Sequence, residues 1–405
     1  TSNTRVFWDV EDFPPPLGCD DLLPVVDNIK KALDDACYPG NVSICAYGPL
    51  QNREELDFYR GVGIMFMAQE DEKRLRVNRM LMDMINWAFI NPTQEEDDID
   101  EDSRVDMNLF VISKIHPEDS ALVKVVQELS NMCYQMLLVD PDDCSLGELP
   151  PTPSCQAKEI LPFVVLVWRW ESLLRGGEPL QEYDDDTTTD AVSGEPMSQG
   201  AIVPATTDAV SGEPMAQGAI VPTTTDAVCK TASVFWDVED FPLPADRDLC
   251  WFRENLKERL RKQGILGDVS ITAYGEEKPD EVVSRYKDAG ITFVSKGNKY
   301  WRLVLMMADI GLWTLGHRDV FNYDKTVLML IVKDDKDTEF IEYIQNLDWV
   351  MSLSVFYVLA DQEPGPVPMV QEAWFWEKLL EGEEPMPREE FHKICVQGKQ
   401  NVKSP

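Results

Sequence analysis

The sequence predicts an α/β protein built twice over: two tandem α/β/α sandwich domains with mainly parallel sheets, joined by a flexible repeat linker. Three observations predict it. Val6–Pro14 reads VFWDVEDFP, and Val234–Pro242 repeats it residue for residue. Short β-branched or aromatic runs alternate with longer stretches of helical period. At 405 residues the chain is too long for one ordinary domain and suits two or three.

The elements follow in order. Arg5–Asp9 reads as an apolar strand that ends on an acid. Asp20–Cys37 reads as a helix, with Leu22, Val26, Ile29 and Leu33 on one face and Pro24 tolerated in its first turn. Strands are expected at Val42–Tyr47 and Ile64–Met67, then a helix through Met80–Trp87, then strands at Leu109–Ser113 and Gln135–Val139. The second copy returns these blocks in order: VSI-x-AYG at Val42 recurs at Val269, and G-I-x-F at Gly63 recurs at Gly290. W-x-W-E-x-L-L-x-G-x-E-P, at Trp168–Pro179 and Trp374–Pro385, reads as the last helix of each domain, with its tryptophans in the core rather than stacking bases.

The boundaries expected are 4–181 and 232–386 for the domains, 182–231 for the linker and 387–405 for a disordered tail. The linker carries TTDAVSGEPM(S/A)QGAIVP twice, and Asp190, Asp208 and Asp226 mark its 18-residue period. Rich in Thr, Gly, Pro and Ser, it cannot bury a core. Its length predicts independently moving domains, and the acidic surface argues against close docking.

Composition sets further bounds. With 44% hydrophobic residues, disorder throughout is excluded. Lys+Arg 37 against Asp+Glu 73 gives a net charge of -36, so contact with RNA requires a local basic patch or metal ions. The cysteines number nine, without a C-x-x-C, and the histidines are His116, His317 and His392. A disulfide framework or zinc site is not expected, and reduced thiols point to the cytoplasm. No apolar run approaches the ~20 residues of a spanning helix, and no secretory leader is expected. No Gly-rich phosphate loop, G-x-S-x-G elbow or H-E-x-x-H occurs.

What remains is carboxylates. Asp9 and Asp237 each end a strand, followed by Glu11 and Asp12 or by Glu239 and Asp240. They admit two readings, an Asx turn or a site at the strand's carboxyl end. Asp83 and Asp309 share helix stripes with Met80 and Trp87, and with Leu305 and Trp313. A carboxylate there costs several kcal/mol, roughly, unless it is paired, hydrogen-bonded or bound to metal. In copy 2 the strand Thr326–Val332 runs into Asp334 and Asp337, whereas the matching strand of copy 1 runs into Ser113-Lys114-Ile115-His116. Three convergent acids, Asp237, Asp309 and Asp334, would suit Mg²⁺ or Mn²⁺, with Asp337 or Glu239 positioning water. Lys73, Arg74, Arg76 and Arg79 precede Asp83, and Lys296, Lys299 and Arg302 precede Asp309. Solvated helix faces and phosphate guides are both open for these cations. Lys257, Arg259, Arg261 and Lys262 form another basic cluster, while Gln94–Asp102 is an acidic insertion of copy 1 alone.

V-F-W-D-V-E-D-F-P, followed by M-x-M-D-M-I-x-W-A-x-x-N-P at Met80–Pro92, resembles the NYN domains of the limkain or meiosis regulator and mRNA stability factor type. The resemblance covers most of both copies and implies a PIN-like nuclease fold. It also implies metal-dependent endoribonuclease chemistry, a role in RNA metabolism and regulation of gene expression, and an association with peroxisomes. The family's opening aspartate falls on Asp9 and Asp237, and its Asn is replaced by Asp12 and Asp240. Its helix aspartate falls on Asp83 and Asp309, but the one six residues earlier falls on Val77 and Leu303. The strand-end I-S-G-D-R-D-F becomes I-S-K-I-H-P-E at Ile112 and I-V-K-D-D-K-D at Ile331. Copy 1 therefore reads as a degenerate site and copy 2 as partly retained. Two functions follow: a metal-dependent endoribonuclease acting through copy 2 on single-stranded RNA, or a pseudo-nuclease that meets protein partners through acidic surfaces.

Overall fold

In the computed structural model, β1 (Ser2–Asp9) lies near the middle of a sheet that alternates with helices along the chain. It is followed by α1 (Leu23–Asp35), β2 (Gly40–Gly48), α2 (Arg53–Gly61), β3 (Met65–Ala68) and α3 (Lys73–Ile90). Then come β4 (Asp106–Ile112), α4 (Ser120–Asn131), β5 (Gln135–Asp140), β6 (Leu166–Arg169) and α5 (Trp170–Leu173). The second copy runs β7 (Thr231–Asp237), α6 (Leu249–Lys262), β8 (Val269–Gly275), α7 (Asp280–Asp288), β9 (Thr292–Ser295) and α8 (Lys299–Gly316). It ends with β10 (Thr326–Ile331), α9 (Phe340–Met351), β11 (Ser354–Leu359), β12 (Glu372–Phe375), α10 (Trp376–Glu381) and α11 (Arg388–Asn401). The structure describes residues 2–16, 21–49, 53–68, 72–93, 105–115, 120–140, 160–180, 231–317, 326–333, 340–351, 354–360, 368 and 370–401. The linker lies outside them, as does the acidic insertion at Gln94–Asp102.

Each copy forms a six-stranded sheet, in the orders β3-β2-β1-β4-β5-β6 and β12-β11-β10-β7-β8-β9. The pairings are parallel throughout. The strand order reverses between β1 and β4 and between β7 and β10, the place where doubly wound sheets open a crevice at their carboxyl ends. Two tandem α/β/α domains of the expected class result, with every expected strand within a few residues of its place.

Two expectations are corrected. Trp168 and Trp374 do not begin a last helix but sit on β6 and β12, and the helices start at Trp170 and Trp376. A parallel edge strand buries its tryptophan on one face without a helical stripe. Trp168 packs on Phe110 at 5.1 Å and Trp374 on Phe356 at 5.5 Å between ring centroids. The tail expected to be disordered forms α11, whose Phe391 joins the apolar core while Ile394 packs against it.

The larger correction concerns independence. Thr1–Leu180 and Cys229–Pro405 form one compact unit. One continuous apolar core runs from Phe7, Met80 and Ile85 of copy 1 to Leu303, Met306 and Ile344 of copy 2, while Trp8 and Trp236 each anchor an outer core of their own copy. The seam is α3 against α8. Both helices bury consecutive apolar residues that face more than one way: Met80, Leu81, Met82, Met84 and Ile85 on one, and Leu303 through Ala308 on the other. Such a helix needs cover on two sides. Its own sheet gives one side and the other copy gives the second. Polar contacts cross the seam too: Tyr300 Oη donates to the Arg74 carbonyl at 3.3 Å, and the Arg74 guanidinium lies 4.7 Å over the Tyr300 ring.

Candidate functional site

The repeated nonapeptide closes a turn at the carboxyl end of β1 and again of β7. Asp9 Oδ1 accepts from the Glu11 amide at 3.0 Å and the Asp12 amide at 3.3 Å. The Phe13 amide donates to the Asp9 carbonyl at 3.1 Å, and Trp8 Nε1 donates to the Phe13 carbonyl at 2.8 Å. In copy 2, Asp237 Oδ1 accepts from Glu239 and Asp240 at 3.0 and 3.3 Å, and Trp236 Nε1 donates to Phe241 at 2.9 Å. The sequence VFWDVEDFP is thus a self-satisfying Asx turn whose rings, Trp8 and Phe13, pack in the core.

Both strand-end aspartates are fully buried, and each meets an arginine from the first turns of the helix that follows the third strand. Arg76 Nε reaches Asp9 Oδ1 and Oδ2 at 3.1 and 3.2 Å, and Arg302 Nε reaches Asp237 Oδ2 at 3.0 Å. The next acid is held just as firmly. Asp12 accepts from Lys73 Nζ at 2.8 Å, Ser113 Oγ at 3.1 Å and the Lys114 amide at 2.9 Å. Asp240 accepts from Lys299 Nζ at 3.2 Å and the Lys333 amide at 3.0 Å. Where the strand order reverses, each copy therefore sets two acids against two bases. Lys73, Arg76, Lys299 and Arg302 turn inward to neutralise the crevice rather than outward to guide phosphate. The other basic cluster is paired as well: Arg261 with Glu258 at 3.0 Å, Lys262 with Glu384 at 3.8 Å, and Arg259 with the Gly382 carbonyl.

The helix aspartates belong to a different place. Asp83 lies seven residues beyond Arg76, about 10 Å along the helix axis. It accepts from Tyr47 Oη at 3.0 Å and from Arg79 Nε at 3.4 Å. Asp309 accepts from Tyr274 Oη at 2.7 Å and pairs at 2.5 Å with Lys124, which comes from α4 of the other copy. The A-Y-G block shared by the copies thus supplies a phenol for each helix acid. Sequence reading missed these tyrosines, although the repeated block was the signal.

The sequence brings Asp237, Asp309, Asp334 and Asp337 together as a candidate site. Within the structure, Asp237 and Asp309 have separate partners, and Asp334 and Asp337 lie outside the described residues. No group of three or more His, Cys, Asp or Glu side chains placed to hold a metal ion is found among the described residues. The resemblance implies Mg²⁺ or Mn²⁺, whose ligands must offer free oxygen lone pairs at about 2.0–2.1 Å for Mg²⁺. Asp9 and Asp237 give theirs to a guanidinium and two amides, so these residues as arranged do not fit such an ion. Val77 and Leu303, where the resemblance would place a further aspartate, stand next to Arg76 and Arg302.

Burial pushes the carboxyl of Asp9 up, and the nearby Asp12 charge adds to it against Arg76; Asp237 is raised likewise by burial and by Asp240. Burial also raises Asp83 against Arg79 and Tyr47, and Asp309 against Lys124 and Tyr274. Tyr47 and Tyr274, pushed well up by burial and then by their aspartates, stay protonated as donors. Folded carboxyls raised above the ordinary 3.8 bind protons more readily than unfolded ones. Their contribution is greatest below that value and is lost as pH rises through the folded pKa. Melting temperature is therefore expected to rise on acidification from neutral pH toward the ordinary carboxyl range, in the same direction as relief of the overall acidic repulsion. Asp309→Asn should flatten that slope. A melting temperature that falls steadily with acidification would refute this.

Fold and site together define a class: a tandem pair of doubly wound α/β domains whose switch-point acids are internally neutralised. No protein-family model matches the chain, and no curated protein matches it. Among solved structures, proximal thread matrix protein 1 from the mussel byssus aligns over 98% of this chain and 95% of that one, at 9% identity and a TM-score of 0.25. So loose a superposition carries no argument about function.

Proposed function

We propose that this chain is a pseudo-nuclease of RNA metabolism and gene regulation, a two-domain scaffold that binds without cutting. The NYN-like blocks at Val6–Pro14 and Met80–Pro92 support the RNA setting. One observation carries the loss of cleavage: an arginine occupies the strand-end aspartate in both copies, at Asp9 and at Asp237. Displacing a buried guanidinium to admit a metal ion would strand its charge in the core, at a cost of roughly several kcal/mol. The remaining acidic surface is suited to protein partners with basic faces. The reading places the chain in the cytoplasm, in keeping with the free thiols of Cys37, Cys45, Cys133 and Cys250, and peroxisomes are the alternative from the resemblance. No helix among the described residues is long and apolar enough to cross a membrane.

The test incubates the full chain with labelled single-stranded RNA in Mn²⁺, in Mg²⁺ and with chelator, beside Asp237→Asn. The expected result is uncleaved RNA in every lane, retarded in a gel shift, and no rise in melting temperature with Mn²⁺. Metal-dependent cleavage that Asp237→Asn abolishes would overturn the reading in favour of an endoribonuclease completed by Asp334 and Asp337. No gel shift would remove the RNA setting and leave the protein-interaction role.

A further inference from the structure

The second copy holds a cavity of ≈ 620 Å³ at the carboxyl ends of β7 and β8, between the start of α6 and the face of α7. Its size is in the range of small-ligand pockets, and its place is where parallel sheets receive ligands. It lies apart from the crevice between β7 and β10, which Asp240, Lys299 and the Lys333 amide already fill. Its walls are apolar and aromatic, from Trp236, Leu243, Leu249, Val282 and Tyr286. Three cations, Arg247, Lys278 and Arg285, stand around it.

These cations are not equivalent. Lys278 is anchored to Glu239 at 2.8 Å. Arg247 lies over the Trp251 ring, 4.3 Å from its centroid, with Asp246 3.7 Å away. Arg285 is exposed, and its guanidinium has no ion-pair or hydrogen-bond partner among the described residues. Three acids line the cavity too: Glu239 is spent on Lys278 and the Glu276 amide, Asp248 caps α6 by accepting from the Trp251 amide at 2.7 Å, and Asp288 ends α7 three residues beyond Arg285. Acids and cations are equal in number round the cavity, but two of the acids already have partners, which leaves the Arg285 guanidinium available to a ligand.

Comparison of the copies shows that this is no property of the shared fold. Asn28 and Asn255 make the same contact, each donating to a carbonyl at the end of a short helix that follows the edge strand, at Leu174 after β6 and at Leu379 and Leu380 after β12. Aligned from that pair and from Tyr47 with Tyr274, positions 247, 278 and 285 correspond to Asp20, Gln51 and Phe58 in copy 1. Three cations have been placed round one cavity in a chain with a net charge of -36. A flat apolar wall with aromatic edges, rimmed by guanidinium groups, matches a planar heterocycle carrying a phosphate.

We propose that this cavity binds a nucleoside monophosphate, with the base against Tyr286 and Leu249 and the phosphate on Arg285 and Arg247. The proposal stands whether or not the chain acts on RNA.

Cys250 lines the cavity and is exposed, while Cys37 and Cys133 are exposed in copy 1, so the thiols give a local readout with internal controls. The full chain would be alkylated in the presence of AMP, GMP, CMP or UMP, or of inorganic phosphate, and the sites quantified by peptide mapping. At least one nucleotide is expected to slow modification of Cys250 about tenfold without changing Cys37 or Cys133. The exposed substitution Arg285→Glu, which leaves the core untouched, is expected to weaken that protection about tenfold or more, as loss of a charged hydrogen bond does. Protection of all three thiols alike, or of none, would overturn the proposal. So would equal protection by phosphate alone, or full protection in Arg285→Glu.

Discussion

Replacing Arg302 with methionine will destabilise the protein by about 3–5 kcal/mol, because it leaves Asp237 buried without its cation. Asp237 is fully buried and Arg302 is 4% exposed at its side chain, so water cannot take over the pairing. Two features make the effect attributable to the pair. Asp237→Asn combined with Arg302→Met should recover much of the loss, since an amide still accepts from the Glu239 and Asp240 amides without carrying charge. The loss in the single variant should also shrink toward pH 5, because the stranded carboxyl can then take up a proton. Chemical denaturation of the full chain at two pH values reads both. A loss below about 1 kcal/mol would mean that the ion pair is not the structural element described above. Arg76→Met is expected to behave alike in copy 1, where Arg76 and Asp9 are buried to the same degree.

The second large effect lies at the seam between the copies. Gly311 is buried in α8, and a Cβ built there would come within 2.8 Å of Ile85 Cγ2 on α3 of the other copy, besides meeting the Tyr343 hydroxyl. In an open helix, Gly→Ala stabilises by about 1 kcal/mol. Here the sign is expected to reverse, with Gly311→Ala destabilising by about 1–3 kcal/mol through overpacking. Gly311→Leu should go further and split the single unfolding transition into two. Ile85→Ala should rescue part of the Gly311→Ala loss, a coupling that exists only if α3 and α8 touch. If Gly311→Ala raises the melting temperature and Ile85→Ala has no influence on it, the two copies do not share a core.

The two effects rest on different parts of the sequence. The Asp237 turn is written locally: a strand, an Asx turn and a tryptophan that reaches its own carbonyl all fall within nine residues, so either reading of Asp9 was available at once. What the acids pair with was not. Lys73 and Arg76 stand one helical turn apart, as do Lys299 and Arg302, and from the sequence that spacing serves a solvated face or a phosphate guide equally well. Long cationic side chains can point either way, and only the packing of α3 and α8 on their sheets decides it. Similarly, Asp83 and Asp309 were legible as costly carboxylates, but their partners, Tyr47, Tyr274 and Lys124, come from up to 185 residues away along the chain, counting from Lys124 to Asp309.

The sequence alone determined that the protein is made twice, that each copy alternates strands with helices into a parallel sheet, and that acids end the first strand of both. These follow from repetition and from local periods of two and 3.6 residues, which the chain carries without reference to its fold. The tertiary structure decided that the crevice is charge-neutral and that the copies share one core. The all-apolar run Leu303–Ala308 is buried on more than one side, and it is the fold that brings the other copy to cover it, where the sequence had predicted independent domains. That pairing depends on shape and burial between segments far apart in the chain, where no local pattern reaches.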